Sequence, residues 1–169
     1  MKGLETLVLD QDHAVARKWD AVAAREIATR MKTMDGPLLP ILHEFTECFG
    51  FINNDAIVLI ADVLNLTRAE VQGVVSFYHD FRREPAGRYV VKVCRAEACQ
   101  SMGCEDLAAR LESALGIKFG ETTPDRRVTL EAVYCLGNCA LSPAVMVNGQ
   151  LRGRCDATKV LDMVGGARP

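Results

Sequence analysis

Nowhere in this 169-residue chain do about 18 successive apolar residues occur, so no segment reads as a membrane-spanning helix. The N-terminal stretch MKGLETLVLDQDHAVARKWD also lacks an apolar run of signal-peptide length, and a cytoplasmic protein is expected. Basic residues are not in excess. A formal charge of -2 and a pI near 5.9 argue against a nucleic-acid surface, because such domains usually carry a basic stripe or patch. The short clusters Arg82-Arg83 and Arg126-Arg127 read as solvated loop charges. Histidine is scarce, and His13, His43 and His79 all precede the second half of the chain. There is no G-x-G-x-x-G after a strand, no P-loop, no G-x-S-x-G elbow and no C-x-x-C dithiol pair. The chain therefore carries no evident nucleotide, flavin or acyl-transfer site and no ordinary dithiol redox motif. Repeats and low-complexity segments are also missing. With 49% hydrophobic and 25% charged residues, the composition fits one ordinary globular domain or two small ones.

Sulfur, by contrast, is plentiful. Four of the seven cysteines form two local pairs, Cys94-x4-Cys99 and Cys135-x3-Cys139, with residues 100–134 between them. Seven thiols leave one over in any all-disulfide scheme, and clustered thiols in a reducing compartment point to metal or redox chemistry. Tetrahedral sulfur sites select zinc or iron-sulfur clusters, and a [2Fe-2S] cluster takes two thiolates on each iron. Spacing alone leaves both metals open. With the histidines N-terminal to both pairs, a Rieske-type His2Cys2 set has no support. Cys99-x4-Cys104 repeats the first spacing, but Cys94 ends a predicted strand whereas Cys104 falls on the apolar stripe of a predicted helix. Cys104 is therefore assigned to the core, Cys48 likewise, and Cys155 is read as an incidental free thiol. Within CLGNCALSP, Gly137 allows backbone angles that turn neighbouring N–H groups toward sulfur, and Pro143 stiffens the loop exit.

The first half has helical periodicity throughout. Asp12 is a candidate cap for a helix over 13–33, with Val15, Trp19, Val22, Ala23, Ile27 and Met31 on one stripe. A second helix carries Leu38, Ile41, Leu42, Phe45, Cys48 and Phe49 and stops at Gly50. Asn53 or Asn54 can cap a third, and Thr67-x-x-Glu70 forms a capping box opening a fourth that runs through Phe81. That fourth helix has no basic recognition face, which sets aside a DNA-binding helix-turn-helix. After Pro85-Ala86-Gly87 the period changes to alternation. Strands are expected at 88–94, 117–122, 127–132 and 144–147, with a helix at 101–115. Asn148-Gly149 makes a hairpin turn to a return strand at 151–153, and Asp156 caps a last helix. The fold class is accordingly α+β, with a helical bundle at 1–84 and an α/β domain at 85–169.

The motifs VCRAEACQSMG, LEAVYCLGNCALSP and VNGQLRGR, preceded by LLPILHEFTECFGFINNDAIVLIADVLNLTRAEVQGVVSFYHDF, resemble the thioredoxin-like [2Fe-2S] ferredoxin subunits related to the 24 kDa subunit of respiratory complex I. The likeness covers residues 37–165. It implies a thioredoxin-like second domain whose Cys94, Cys99, Cys135 and Cys139 ligate one [2Fe-2S] cluster. It also implies a flavoprotein partner that holds FMN and binds NAD(H). Within the family, Arg95-Ala96-Glu97-Ala98 and SFYHDFR look most like the gamma subunit of soluble NAD-dependent formate dehydrogenases. Ser142 stands where many relatives carry Ala before Pro. The equivalent subunits of NAD-linked hydrogenase or of NADH:quinone oxidoreductase, and a structural zinc module, are the alternative readings.

Overall fold

A computed structural model describes residues 18–165, and the expected cap at Asp12 lies outside the described residues. The helix expected over 13–33 is corrected at its start, since residues 18–20 are not helical and the helix begins at Ala21 under a cap from Asp20. The chain divides into two compact units, one ending at Pro85 and the other starting at Ala86.

Among the described residues the first unit holds four helices: α1 (Ala21–Met31), α2 (Leu38–Phe49), α3 (Asn54–Leu64) and α4 (Arg68–Phe77). Asp20 caps α1, its carboxylate accepting from the N–H groups of Val22 and Ala23. Gly50 ends α2 in the left-handed conformation (φ 79°), Asn53 caps α3, and Thr67 and Glu70 cap α4 reciprocally. Each cap contributes about 1 kcal/mol. Full burial of a Phe or Ile side chain contributes roughly 1.5–3 kcal/mol, so the core formed by Ile41, Leu42, Phe45, Phe49, Ile52, Ile60 and Val71 dominates the unit's stability. Trp19 packs edge-on to Phe49 at 5.1 Å, and Cys48 is a half-buried packing residue against the same core. The fourth helix is shorter than its pattern suggests. Tyr78 leaves the helix with extended backbone, and Phe81 returns to the core, where it meets the rings of His43 and Tyr78.

The second unit is built on a four-stranded sheet among the described residues. Strands β1 (Tyr89–Cys94), β2 (Val128–Val133), β3 (Val145–Val147) and β4 (Gln150–Arg152) lie in the order β2-β1-β3-β4. Val91, Val93, Val128, Leu130, Val145 and Val147 point to one face. There they bury against Leu107 and Leu111 of α6 (Cys104–Leu115) and Val160 of α7 (Ala157–Met163). Lys92 and Glu131, opposite each other in register and on the alternate face, form an ion pair at 3.8 Å. Asn148 and Gly149, both at positive φ, turn β3 into β4, as a two-residue hairpin with matching twist requires. Asp156 caps α7 through Lys159 N–H.

Two further expectations are corrected. Residues 117–122 do not form a strand, because a turn closes from Glu121 N–H to the Lys118 carbonyl around Gly120 at φ 88°. What survives is a single bridge, Thr122 to Thr129. The helix expected at 101–115 begins only at Cys104, as α6, after Gly103 at a left-handed φ of 84° that no helix interior tolerates. A separate short helix α5 (Glu97–Ser101), which the pattern did not show, precedes it.

Parallel pairing of β1 with β2, from Tyr89 opposite Val128 to Cys94 opposite Val133, sets the site. Both strands end at the same edge of the sheet, one on Cys94 and the other two residues before Cys135. Antiparallel β3 starts from that same edge.

Candidate metal centre

Each thiol of the first pair is held by regular structure. Cys94 closes β1 with its N–H donating to the Ala144 carbonyl at 3.0 Å, and it is 2% exposed. Cys99 sits in α5, is 1% exposed and packs in one cluster with Cys94. Its Sγ also lies 3.5 Å from Ser142 Oγ. The second pair is held by a loop. Cys135 and Cys139 are exposed, with their Sγ atoms 4.0 Å apart. Cys135 adopts φ 131°, a region that strains any residue with a Cβ, and such strain persists where surrounding structure holds a functional group in place. Gly137, at φ 75°, donates its own N–H to Cys135 Sγ at 3.3 Å. The sequence suggested that Gly137 would turn its neighbours' amides toward sulfur; the amide so turned is the glycine's own.

Electrostatics couple the pairs. Burial pushes the Cys99 thiol up, but hydrogen bonds from Ser142, from the Ala144 backbone and from Cys94 outweigh it and leave the thiol below its ordinary value. The hydrogen bond to Cys135 and the charge of that sulfur hold the Cys139 proton on, and the charges of Cys99 and Cys94 add to the effect. Four thiolates in this arrangement repel one another, and a bound cation relieves that repulsion.

The remaining cysteines are placed as packing residues. Cys104 is fully buried at the start of α6 against Cys94, Cys99 and Ala144, and burial together with Glu105 pushes its thiol up. Cys155 lies in the core of the second unit beside the sheet, so it is a structural residue rather than an incidental one. His43 and His79 are exposed on the first unit; His13 lies outside the described residues.

The thiols come as two pairs, Cys94 packed in one buried cluster with Cys99, and Cys135 beside Cys139. Among the described residues, no three His, Cys, Asp or Glu side chains gather closely enough to hold a single ion. Two thiol pairs supply the two thiolates that each iron of a [2Fe-2S] cluster takes.

Backbone contacts pin the second loop from behind. Arg154 N–H donates to the Leu141 carbonyl at 2.6 Å, and Cys155 N–H to the Pro143 carbonyl at 3.0 Å. The Ser142–Pro143 peptide is cis. A Cβ on Gly153 would stand 2.5 Å from Leu141 Cβ and 2.8 Å from its carbonyl oxygen. Gly153→Ala should therefore displace the turn that carries Cys139, costing about 1–3 kcal/mol as overpacking does, and lowering the iron bound per chain. Denaturation curves and iron analysis on the same preparation check this; wild-type values for both would refute the contact.

The thioredoxin-like [2Fe-2S] ferredoxin family model matches residues 24–168, which spans both units and reaches back into α1, beyond the 37–165 carried by the sequence motifs. Curated relatives include an NADH-quinone oxidoreductase subunit of Aquifex aeolicus, 41% identical over 66% of this chain and 69% of that protein. Its namesake in Buchnera aphidicola is 34% identical over 74% of this chain and 73% of that protein. The NADP-reducing hydrogenase subunit HndA of Solidesulfovibrio fructosivorans is 35% identical over 70% of each chain. Among solved structures, an NAD+-reducing [NiFe]-hydrogenase in the air-oxidized state superposes with a TM-score of 0.65 at 26% identity. That match covers 80% of this chain but only 23% of the hydrogenase chain. The family model matches nearly the whole length of the described residues in one continuous stretch, and the chain belongs to the thioredoxin-like [2Fe-2S] ferredoxin family.

Proposed function

We propose that Cys94 and Cys99 hold one iron and Cys135 and Cys139 the other of a single [2Fe-2S] cluster. On this reading the chain is the electron-transfer subunit of a cytoplasmic NAD-dependent formate dehydrogenase, exchanging electrons with a partner subunit that holds FMN and NAD(H). Delivery of the two thiol pairs to one edge of the sheet is the observation that carries the reading. The cluster supplies reversible one-electron uptake; the chain supplies its ligands, their hydrogen bonds and their burial. Because the first pair is buried and the second exposed, a partner gains closest approach on the side of the second loop. Tyr134 and Leu141 flank that loop, 76% and 42% exposed, and offer apolar surface for such a contact.

Formate as the distant substrate is supported by Arg95-Ala96-Glu97-Ala98 and by SFYHDFR. The corresponding subunit of NADH:quinone oxidoreductase or of an NAD-linked hydrogenase is the second reading, favoured by the names of the relatives. Purification of the complex from its native cell separates them. A molybdopterin or tungstopterin in the largest co-purifying subunit is expected; nickel, or membrane quinone-reducing subunits, would replace the formate reading. The isolated chain should be reddish brown, contain roughly two irons and two acid-labile sulfides, and give an EPR signal on one-electron reduction. A colourless chain holding one zinc would end the cluster assignment.

A further inference from the structure

Ser142 touches both thiol pairs. Its Oγ lies 3.5 Å from Cys99 Sγ and donates to the Cys139 carbonyl at 2.8 Å, and the residue is 7% exposed. A hydroxyl owns a single proton and rotates to place it. While Cys99 keeps its own proton, the chain of donors runs from thiol to hydroxyl to the Cys139 carbonyl. Once Cys99 is a thiolate it has nothing to donate, and sulfur and oxygen would face each other as two acceptors. Buried at 1% exposure, the sulfur has little water to replace the lost bond. Turning the Ser142 proton toward Cys99 relieves that conflict, leaving only the Cys139 carbonyl, in the exposed loop, to find another donor.

We infer that Ser142 is a positioning residue whose hydroxyl donates to the Cys99 thiolate and sets the reduction potential of the cluster upward. This rests on the reading of Cys99 as a ligand. Reduction adds one electron and makes the cluster and its sulfurs more negative, so a donor at sulfur favours the reduced form. The Ala144 N–H favours the Cys99 thiolate as well, so both donors come from residues 142–144, just before β3. No charged side chain is needed for this, and the effect is local to one of the four sulfurs.

The test is an EPR-monitored redox titration of the full-length chain with its cluster, as wild type, Ser142→Ala, Ser142→Thr and Ser142→Val. The Thr and Val variants are nearly equal in shape and differ in the hydroxyl. Ser142→Ala and Ser142→Val should fall in potential, lowering the reduced-to-oxidised ratio at fixed ambient potential on the order of tenfold, about 59 mV for a one-electron couple. Ser142→Thr should stay near wild type. Equal potentials in Thr and Val variants that carry full iron and sulfide would overturn the inference while leaving the cluster reading intact. Clusters that assemble with Thr but with neither Ala nor Val would overturn tuning in favour of an assembly role. A wild-type chain without iron and sulfide would bring down the ligand reading itself.

Discussion

Purified Cys94→Ser, Cys99→Ser, Cys135→Ser and Cys139→Ser chains are expected to contain little iron or acid-labile sulfide, whereas Cys104→Ser and Cys155→Ser should keep both. Serine oxygen is a hard donor with a high pKa, and a cluster selects soft thiolate. Loss of an outer-shell partner already costs roughly 10–100-fold in metal affinity, so loss of a ligand should exceed that. The Cys104→Ser chain has a different penalty. Its thiol is fully buried with Cys94, Cys99 and Ala144 around it, and a hydroxyl there costs roughly 1–3 kcal/mol of folding stability. Iron and sulfide content, read beside a denaturation midpoint, separates the two kinds of damage. A cluster lost with Cys104→Ser but kept with Cys94→Ser would reassign the first pair.

Removing the cluster should loosen the second unit and spare the first. The helical unit has its own core of Phe and Ile side chains and its own caps. In the second unit, residues 134–141 form a largely exposed segment with one 3-10 turn at Cys139–Leu141 and a strained Cys135, while the backbone contacts that hold the loop fall at Leu141, Pro143 and Ala144. Its N-terminal part, around Cys135 and Cys139, is then held chiefly by what its sulfurs bind, and binding free energy acts there as folding free energy. A ligand present at a hundredfold excess over its Kd stabilises the folded form by about 2.7 kcal/mol, and the cluster should contribute at least that. Amide hydrogen exchange before and after chelation should show protection falling by roughly a hundredfold or more around residues 133–144. Little change is expected in α2 and α3. Equal protection in both states would mean that the loop folds without its metal.

Local chemistry made much of this architecture readable in advance. Thr67 and Glu70, Gly50, Asn148-Gly149 and Asp156 each act through groups a few residues away, and each occupies the expected place. Failures arose where backbone angle overrode pattern. Residues 117–122 alternate as a strand does, but the turn around Gly120 leaves only one bridge. The helix expected from residue 101 begins only at Cys104, because left-handed Gly103 stands just before it. For the site, the cysteine pairs were visible as spacing, and the edge that gathers them was not, since it depends on a parallel register between strands far apart in the chain. Neither Ser142 nor Gly153 carries any signal that spacing could have revealed. Their significance lies in distances of 3.5 Å and 2.5 Å to residues 43 and 12 positions away.

Because β1 and β2 run in the same direction, no tight turn can join them, and α5 and α6 must cross over first. During synthesis Cys94 and Cys99 therefore leave the ribosome long before their counterparts, and a nascent polypeptide that stops short of position 139 holds an incomplete set. If those four sulfurs are the ligands, the crossover is made before the last of them emerges.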